Sequence, residues 1–330
     1  MKTCKAKGAL MVVALAALVA AAAGLNEIPL GDGSAGGGTL DATAALGEET
    51  FVAAGTAPGG GPEALASDGT YIWIVRQFSN SVTRVRARDG AKSGTFTVGE
   101  RPVAIATDKS NVYVANLESD TITKLKVTDG STAGTFAVGD GPGGLVYDGT
   151  NLWIAHRNSN TVSKVRPRDG AILATYTVGM RPLGLATDGA NLWVANGQDN
   201  TVSKLRLSDG AVLGTYVVGR GPFGVAYDGS HIWVSNFFDG TVSKLRPSDG
   251  AVLGTYAVGD GAAGLAYDGA TLWVASSGTN SVVRLSPSGA IVASFSSGKG
   301  PFGVLFDGAN IWVANFASDS VSTTAAVTAQ

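Results

Sequence analysis

Cysteine and histidine are almost missing from this chain, and the shortage bounds its chemistry. Cys4 is the single cysteine, and His156 and His231 are the two histidines. A disulfide framework is excluded, and so is a zinc site of the usual Cys/His kind. A Ser-His-Asp triad would rest on His156 alone, with no nucleophile elbow beside it. Charge is sparse as well. Lys and Arg number 24 against 26 Asp and Glu, so no basic excess marks a nucleic-acid binder. Walker and dinucleotide fingerprints are missing, and the residues call for no cofactor and no metal. Helical periodicity is missing beyond the first 25 residues.

What the chain has in plenty is itself. The aromatic of a "DGxxΦW" box recurs at Trp73, Tyr113, Trp153, Trp193, Trp233, Trp273 and Trp312, in five steps of 40 residues and one of 39. The short step has a visible origin: "PSDGA" at Pro247–Ala251 becomes "PSGA" at Pro287–Ala290. A turn tolerates such a loss. Seven copies at fixed period define a repeat architecture. Each copy holds four apolar runs of strand length, in the fourth copy Gly184–Thr187, Leu192–Asn196, Thr201–Arg206 and Ala211–Val218. Asp188-Gly189, Gly197–Asn200 and Ser208–Gly210 separate them as turns. Four strands in this length are one propeller blade. The continuous runs LWVA and AVLGTY read as strands buried on both faces. The fold class is therefore all-β, a seven-bladed β-propeller of four-stranded antiparallel blades. The last copy stops after its third strand, and Glu49–Gly55 precedes the first "GP" box as the AVLGTY runs precede the others. This N-terminal strand is expected to complete the last blade and hide an edge.

Residues 1–24 carry Lys2, Lys5 and Lys7, an apolar run from Ala9 to Ala23, and small residues at its end. That order reads as a signal peptide, and the expected location is secreted, extracellular or periplasmic. Cys4 precedes the apolar run rather than following it, which argues against lipidation. Cleavage leaves 21 basic against 26 acidic residues, a net charge near −5. Residues 25–47, rich in Gly, Ala and Ser, read as a flexible linker. Residues 48–330 are the propeller, expected to be a monomer with no membrane contact beyond the signal peptide.

Antiparallel succession sorts the loops. The first and third of each copy, "DGxx" and "SDG", barely vary and lie on one face. Their Asp and Gly serve turns, and one carboxylate per blade is too few for a calcium site. The second and fourth loops vary and share the other face, where a scaffold presents function. Thirteen basic residues fall on third strands or just beyond, among them Arg84, Arg86, Lys124, Lys204 and Arg284. Their alternation reads as a solvated outer rim, with a belt for an anionic wall polymer as the other reading.

The box "VGxGPxGLAYDGxNLWVANxxxNTVSKL" resembles the YVTN-type and NHL-like β-propeller repeats of bacterial surface proteins, over about residues 49–327. More loosely it resembles the streptogramin (virginiamycin B) lyases. That second resemblance implies a catalytic His after the Pro of a "P-H-[AG]-I" segment and a Glu after the Trp box. The first position holds Glu63, Val103, Gly143, Leu183, Phe223 and Phe302, with Ala262-Ala263 in the sixth copy. The second holds Arg76, Asn116, His156, Asn196, Asn236, Ser276 and Asn315. Neither required residue is present.

The reading is thus a binding module for a protein or cell-surface polymer, working through the variable-loop face. A lyase-like enzyme with a degenerate site is the alternative. The candidate ligand site is a notch between the fifth and seventh blades. Its walls are Phe223, Phe237, Phe238, Phe302 and Phe316, and its flanks are Arg220 and Lys299. Ala262, Ala263, Ser276, Ser277 and Gly278 would form a low floor.

Overall fold

A computed structural model describes residues 51–56 and 60–324 of the chain. The signal-peptide and linker segments, 1–24 and 25–47, lie outside the described residues. Strand β1 is Phe51–Thr56. The first blade is β2 (Pro62–Ser67), β3 (Tyr71–Arg76), β4 (Ser81–Arg86) and β5 (Lys92–Thr97). The pattern repeats as β6–β9 (102–137), β10–β13 (142–177), β14–β17 (182–217), β18–β21 (222–257), β22–β25 (262–296) and β26–β28 (301–324). Each blade is a four-stranded antiparallel sheet in chain order, except the last, whose order is β1-β28-β27-β26. There Phe51 pairs with Thr324 and Thr56 with Ser320, so the first strand closes the last blade. Innermost strands touch their neighbours all the way round, from β2 against β6 to β26 against β2. Among the described residues there is no helix.

The "DGxxΦW" box explains itself through one carboxylate. Asp68 Oδ1 accepts the backbone N–H groups of Thr70 and Tyr71, and Oδ2 accepts the Trp73 indole at 2.7 Å. The same indole bond recurs at Trp153, Trp193, Trp233, Trp273 and Trp312, and Tyr113 supplies its phenol to Asp108 at 2.8 Å. The turn thereby fixes the largest core side chain, whose only polar atom is satisfied. The core is the set of seven blade-to-blade contacts. Trp73, Val75 and Val82 of the first blade pack on Val112, Val114 and Leu125 of the second, and Trp312 packs on Ile72 and Ile74 to complete the ring.

Two expectations about the strands are corrected. The AVLGTY strands are not buried on both faces. They are outermost, and their residues alternate between exposed and half-buried. Val212, Leu213, Val252 and Leu253 are open to solvent. Blades fan out from the axis, so neighbours cover the inner strands and part around the outer ones. In the first six blades the aromatic of the outer strand packs on the core between blades. Tyr216 lies 5.9 Å from Trp193 and also covers Gly250 of the next "SDG" turn, at φ +72°, where a Cβ would meet the ring at 2.3 Å. Glycine is thus required there twice, for its backbone and for its missing side chain.

The basic residues are likewise not one solvated rim. Lys124, Lys164, Lys204 and Lys244 turn inward over the blade's own aromatic, with Nζ between 5.1 and 5.6 Å from the ring centre. Each donates to a backbone carbonyl of the next blade, as Lys164 does to Leu207 at 2.8 Å. Arg84 does the same over Tyr71 and onto Val127. These cations join blades through cation–π and carbonyl contacts. The alternate set, Arg86, Arg166, Arg206 and Arg246, stays exposed and pairs with the Asp of its own turn. Such exposed pairs contribute little.

Candidate functional site

The variable loops converge where inner strands begin and second strands end. A repeated latch sets their positions. Asn80, Asp120, Asn160, Asn200, Asn280 and Asp319 adopt left-handed backbone, φ +49° to +57°. Each side chain accepts an N–H from the following inter-blade loop: Arg101, Gly141, Arg181, Gly221, Gly300 and Gly61. Asn and Asp tolerate this conformation and cap such turns. At the ring closure Asp319 also accepts from Gly60 N and pairs with the buried Arg76 guanidinium at 3.1 Å.

On one side of this mouth six phenylalanines form an unbroken arc. Phe238 contacts Phe237 (5.5 Å between ring centres), Phe237 contacts Phe223 (6.3 Å), and Phe223 meets Phe302 edge-on at 4.9 Å. Phe302 then contacts Phe316 at 6.1 Å and Phe316 contacts Phe78 at 5.4 Å. The five phenylalanines expected at the notch are therefore together, joined by Phe78 from the first blade. The notch itself is not open. Phe223 and Phe302 touch across the sixth blade, and Ala262 and Ala263 are fully buried. Solvent reaches the ends of the arc most: Phe238 is 53% exposed and Phe78 62%. Arg220 and Lys299 are both exposed, and Arg220 is tied to Asp239 at 2.6 Å.

The opposite side of the mouth is charged. Glu63, the residue after the first Pro, is 9% exposed and accepts a hydrogen bond from Gln77 Nε2 at 2.8 Å. Burial pushes its carboxyl up to about 7, against the pull of Arg157 and Arg101. Arg157 lies over Gly143, whose missing Cβ leaves the space; a Cβ there would fall 2.1 Å from Arg157 Nε. Arg157 is half-buried. Burial lowers its pKa to about 10, with Glu63 opposing and Arg181 and Arg101 adding to the fall. Arg101 pairs with half-exposed Glu118 at 3.0 Å.

Sequence reasoning had located Glu63 without treating it as a site residue and had passed over Arg101, Arg157 and Arg181. The signal was present. Arg101 and Arg181 stand where the other five copies place Gly61, Gly141, Gly221, Gly261 and Gly300. In the third copy a bare Gly143 coincides with an arginine at the second loop.

Two members of the arc, Phe223 and Phe302, and two of the charged pole, Glu63 and Arg157, line one cavity of about 200 Å³ along the propeller axis, with aliphatic residues from Leu65 to Val304 below. Neither histidine takes part in it. His156 is fully buried with Nε2 3.0 Å from Ser163 Oγ, in the slot that Asn196 and Asn236 fill elsewhere, and burial lowers its pKa. His231 sits at the other end of its blade, 3.4 Å from Asp228.

These features define a seven-bladed β-propeller of tandem repeats with a two-sided mouth on its variable-loop face. Solved structures share the fold. The chain is similar to a Kuenenia stuttgartiensis hydrazine synthase structure (22% identity, 82% of this chain and 97% of that one, TM-score 0.74). It is similar to a streptogramin B lyase (17% identity, 84% and 96%, TM-score 0.71) and to U3-55K (13% identity, 83% and 98%, TM-score 0.74). No protein-family model and no curated protein matches the chain. At these identities the likeness concerns the fold, and function must be argued from the site.

Proposed function

We propose that this is an exported binding module that takes its partner, a protein or cell-surface polymer, at the mouth of the variable-loop face. The observation that carries the reading is the unbroken arc of six phenylalanines, contributed by three blades and solvent-facing at both ends. Grouped exposed aromatics on a rigid scaffold are typical of interaction sites. Export rests on the order of residues 1–24. The lyase resemblance calls for a histidine at the mouth, and His156 is buried and bonded within its own blade.

The test uses the propeller with Phe237 and Phe238 both replaced by Ser, immobilised and presented with native cell-surface material. Retention should weaken about 30-fold, or about 2 kcal/mol, while the thermal transition stays in place. Equal retention by both proteins would overturn the reading. Linearisation of a cyclic depsipeptide by the parent would favour the lyase alternative instead.

A further inference from the structure

Arg101 and Arg181 occupy left-handed backbone, φ +53° and +55°, at the loop position that the other five blades give to glycine. Arginine there costs on the order of 1 kcal/mol per site relative to glycine. A repeat that avoids this strain five times and accepts it twice, on the same side of one mouth, needs a reason. Arg157 supplies a third guanidinium, made possible by Gly143. The Nε–H groups of Arg101 and Arg157 are both buried and have no acceptor among protein atoms. A buried donor without a partner costs about 1–3 kcal/mol. An acceptor brought by a ligand would remove that cost.

We propose that this pole is a carboxylate-binding site: Arg157 and Arg101 hold the ligand's carboxylate, the Glu63 carboxylic acid donates a hydrogen bond to it, and the phenylalanine arc takes the attached apolar body. The proposal rests on the binding reading above and names its ligand class, an apolar or aromatic carboxylic acid or a polymer bearing such groups. Guanidinium and carboxylate match in planar, two-bonded geometry. Three arginines face few acids here. Glu118 neutralises Arg101 from the solvent side, and Arg76 is engaged by Asp319. Glu63 is therefore the acid inside the pole, acted on by Arg157 and Arg101, with Arg181 acting through Arg157. Burial keeps its proton to about pH 7. Two carboxyls side by side share one proton readily.

Calorimetric titration with 3-phenylpropanoate, its neutral amide and phenylphosphonate provides the test. The acid should bind saturably, and about 30-fold more weakly at about pH 8.5 than at about pH 6, because few Glu63 groups keep their proton at the higher pH. Glu63→Gln, which keeps a donor, should bind equally at both pH values and match the parent at the lower one. Arg157→Gln should lose about tenfold or more at both. A pH slope that survives in Glu63→Gln removes Glu63 from the site. Preference for the phosphonate overturns the carboxylate class. Equal binding of amide and acid overturns the charged pole while leaving the aromatic arc standing. No binding of any of the three compounds overturns the pole, and the arc is then judged by the phenylalanine variant alone.

Discussion

Replacing Glu63 by Gln should stabilise the free propeller, and only above mildly acidic pH. Burial raises the Glu63 carboxyl from 4.5 to about 7. In the folded state its ionisation is therefore harder than in the unfolded chain, by about 3 kcal/mol. Between these values the folded form holds the extra proton, so stability falls as pH rises through the window from 4.5 to about 7. Glutamine has the shape of the protonated acid and no such slope. The variant should match the parent near pH 4.5 and exceed it by about 3 kcal/mol above pH 7. For a domain of this size that is a rise of about 5 °C in the thermal midpoint. His156 works in the opposite direction over part of the window. Its pKa is lowered by burial, so stability should grow as pH rises through the unfolded imidazole's range. Both proteins share that contribution, and the difference between them removes it. Tryptophan fluorescence melts of parent and variant across this range provide the assay. Parallel curves would refute the idea that Glu63 carries a buried, displaced proton.

Asp319→Ala should destabilise the ring by about 3–5 kcal/mol in denaturant unfolding, because it removes the carboxylate that pairs with the buried Arg76 guanidinium and accepts two glycine N–H groups at the closure; a loss below about 1 kcal/mol would show that the closure is held elsewhere. Lys204→Met keeps the aliphatic stem over Trp193 but removes the donor to Pro247 O. It should lower stability by about 1–3 kcal/mol, whereas Arg206→Met, losing only an exposed pair with Asp209, should change it by less than about 0.5 kcal/mol. Equal effects at the two positions would contradict the division into inward and outward cations.

Much of the fold is legible in the repeat. Comparing copies with one another separates what every blade needs from what one blade alone has. The lost residue in "PSGA" shows how local the accommodation is. In the fifth blade Gly250 N bonds to Arg246 O, and in the sixth the shortened turn bonds Gly289 N to Ser286 O, while the strand pair beyond continues. The phenylalanine cluster was legible for the same reason, since each ring departs from its register. The burial of Lys204 was not, because a strand with alternating charge reads identically whether the alternate face meets water or another blade's carbonyl. The exposed Val212 and Leu213 misled in the opposite sense. Their apolar character suggests a covered strand, and only the fanning of the blades uncovers it.

By itself the sequence determined the number of blades, the strand order within them and the face on which loops vary. Those follow from period, turn residues and antiparallel succession, all of which are local along the chain. Tertiary structure decided what closes and what meets. Residues 243 positions apart, Arg76 and Asp319, become partners because the ring brings its ends together. Glu63, Arg101, Arg157 and Arg181 become one electrostatic group because seven inner strands start around a single axis. A carboxyl acquires a raised pKa from what surrounds it, and linear order does not record that environment until the chain is folded.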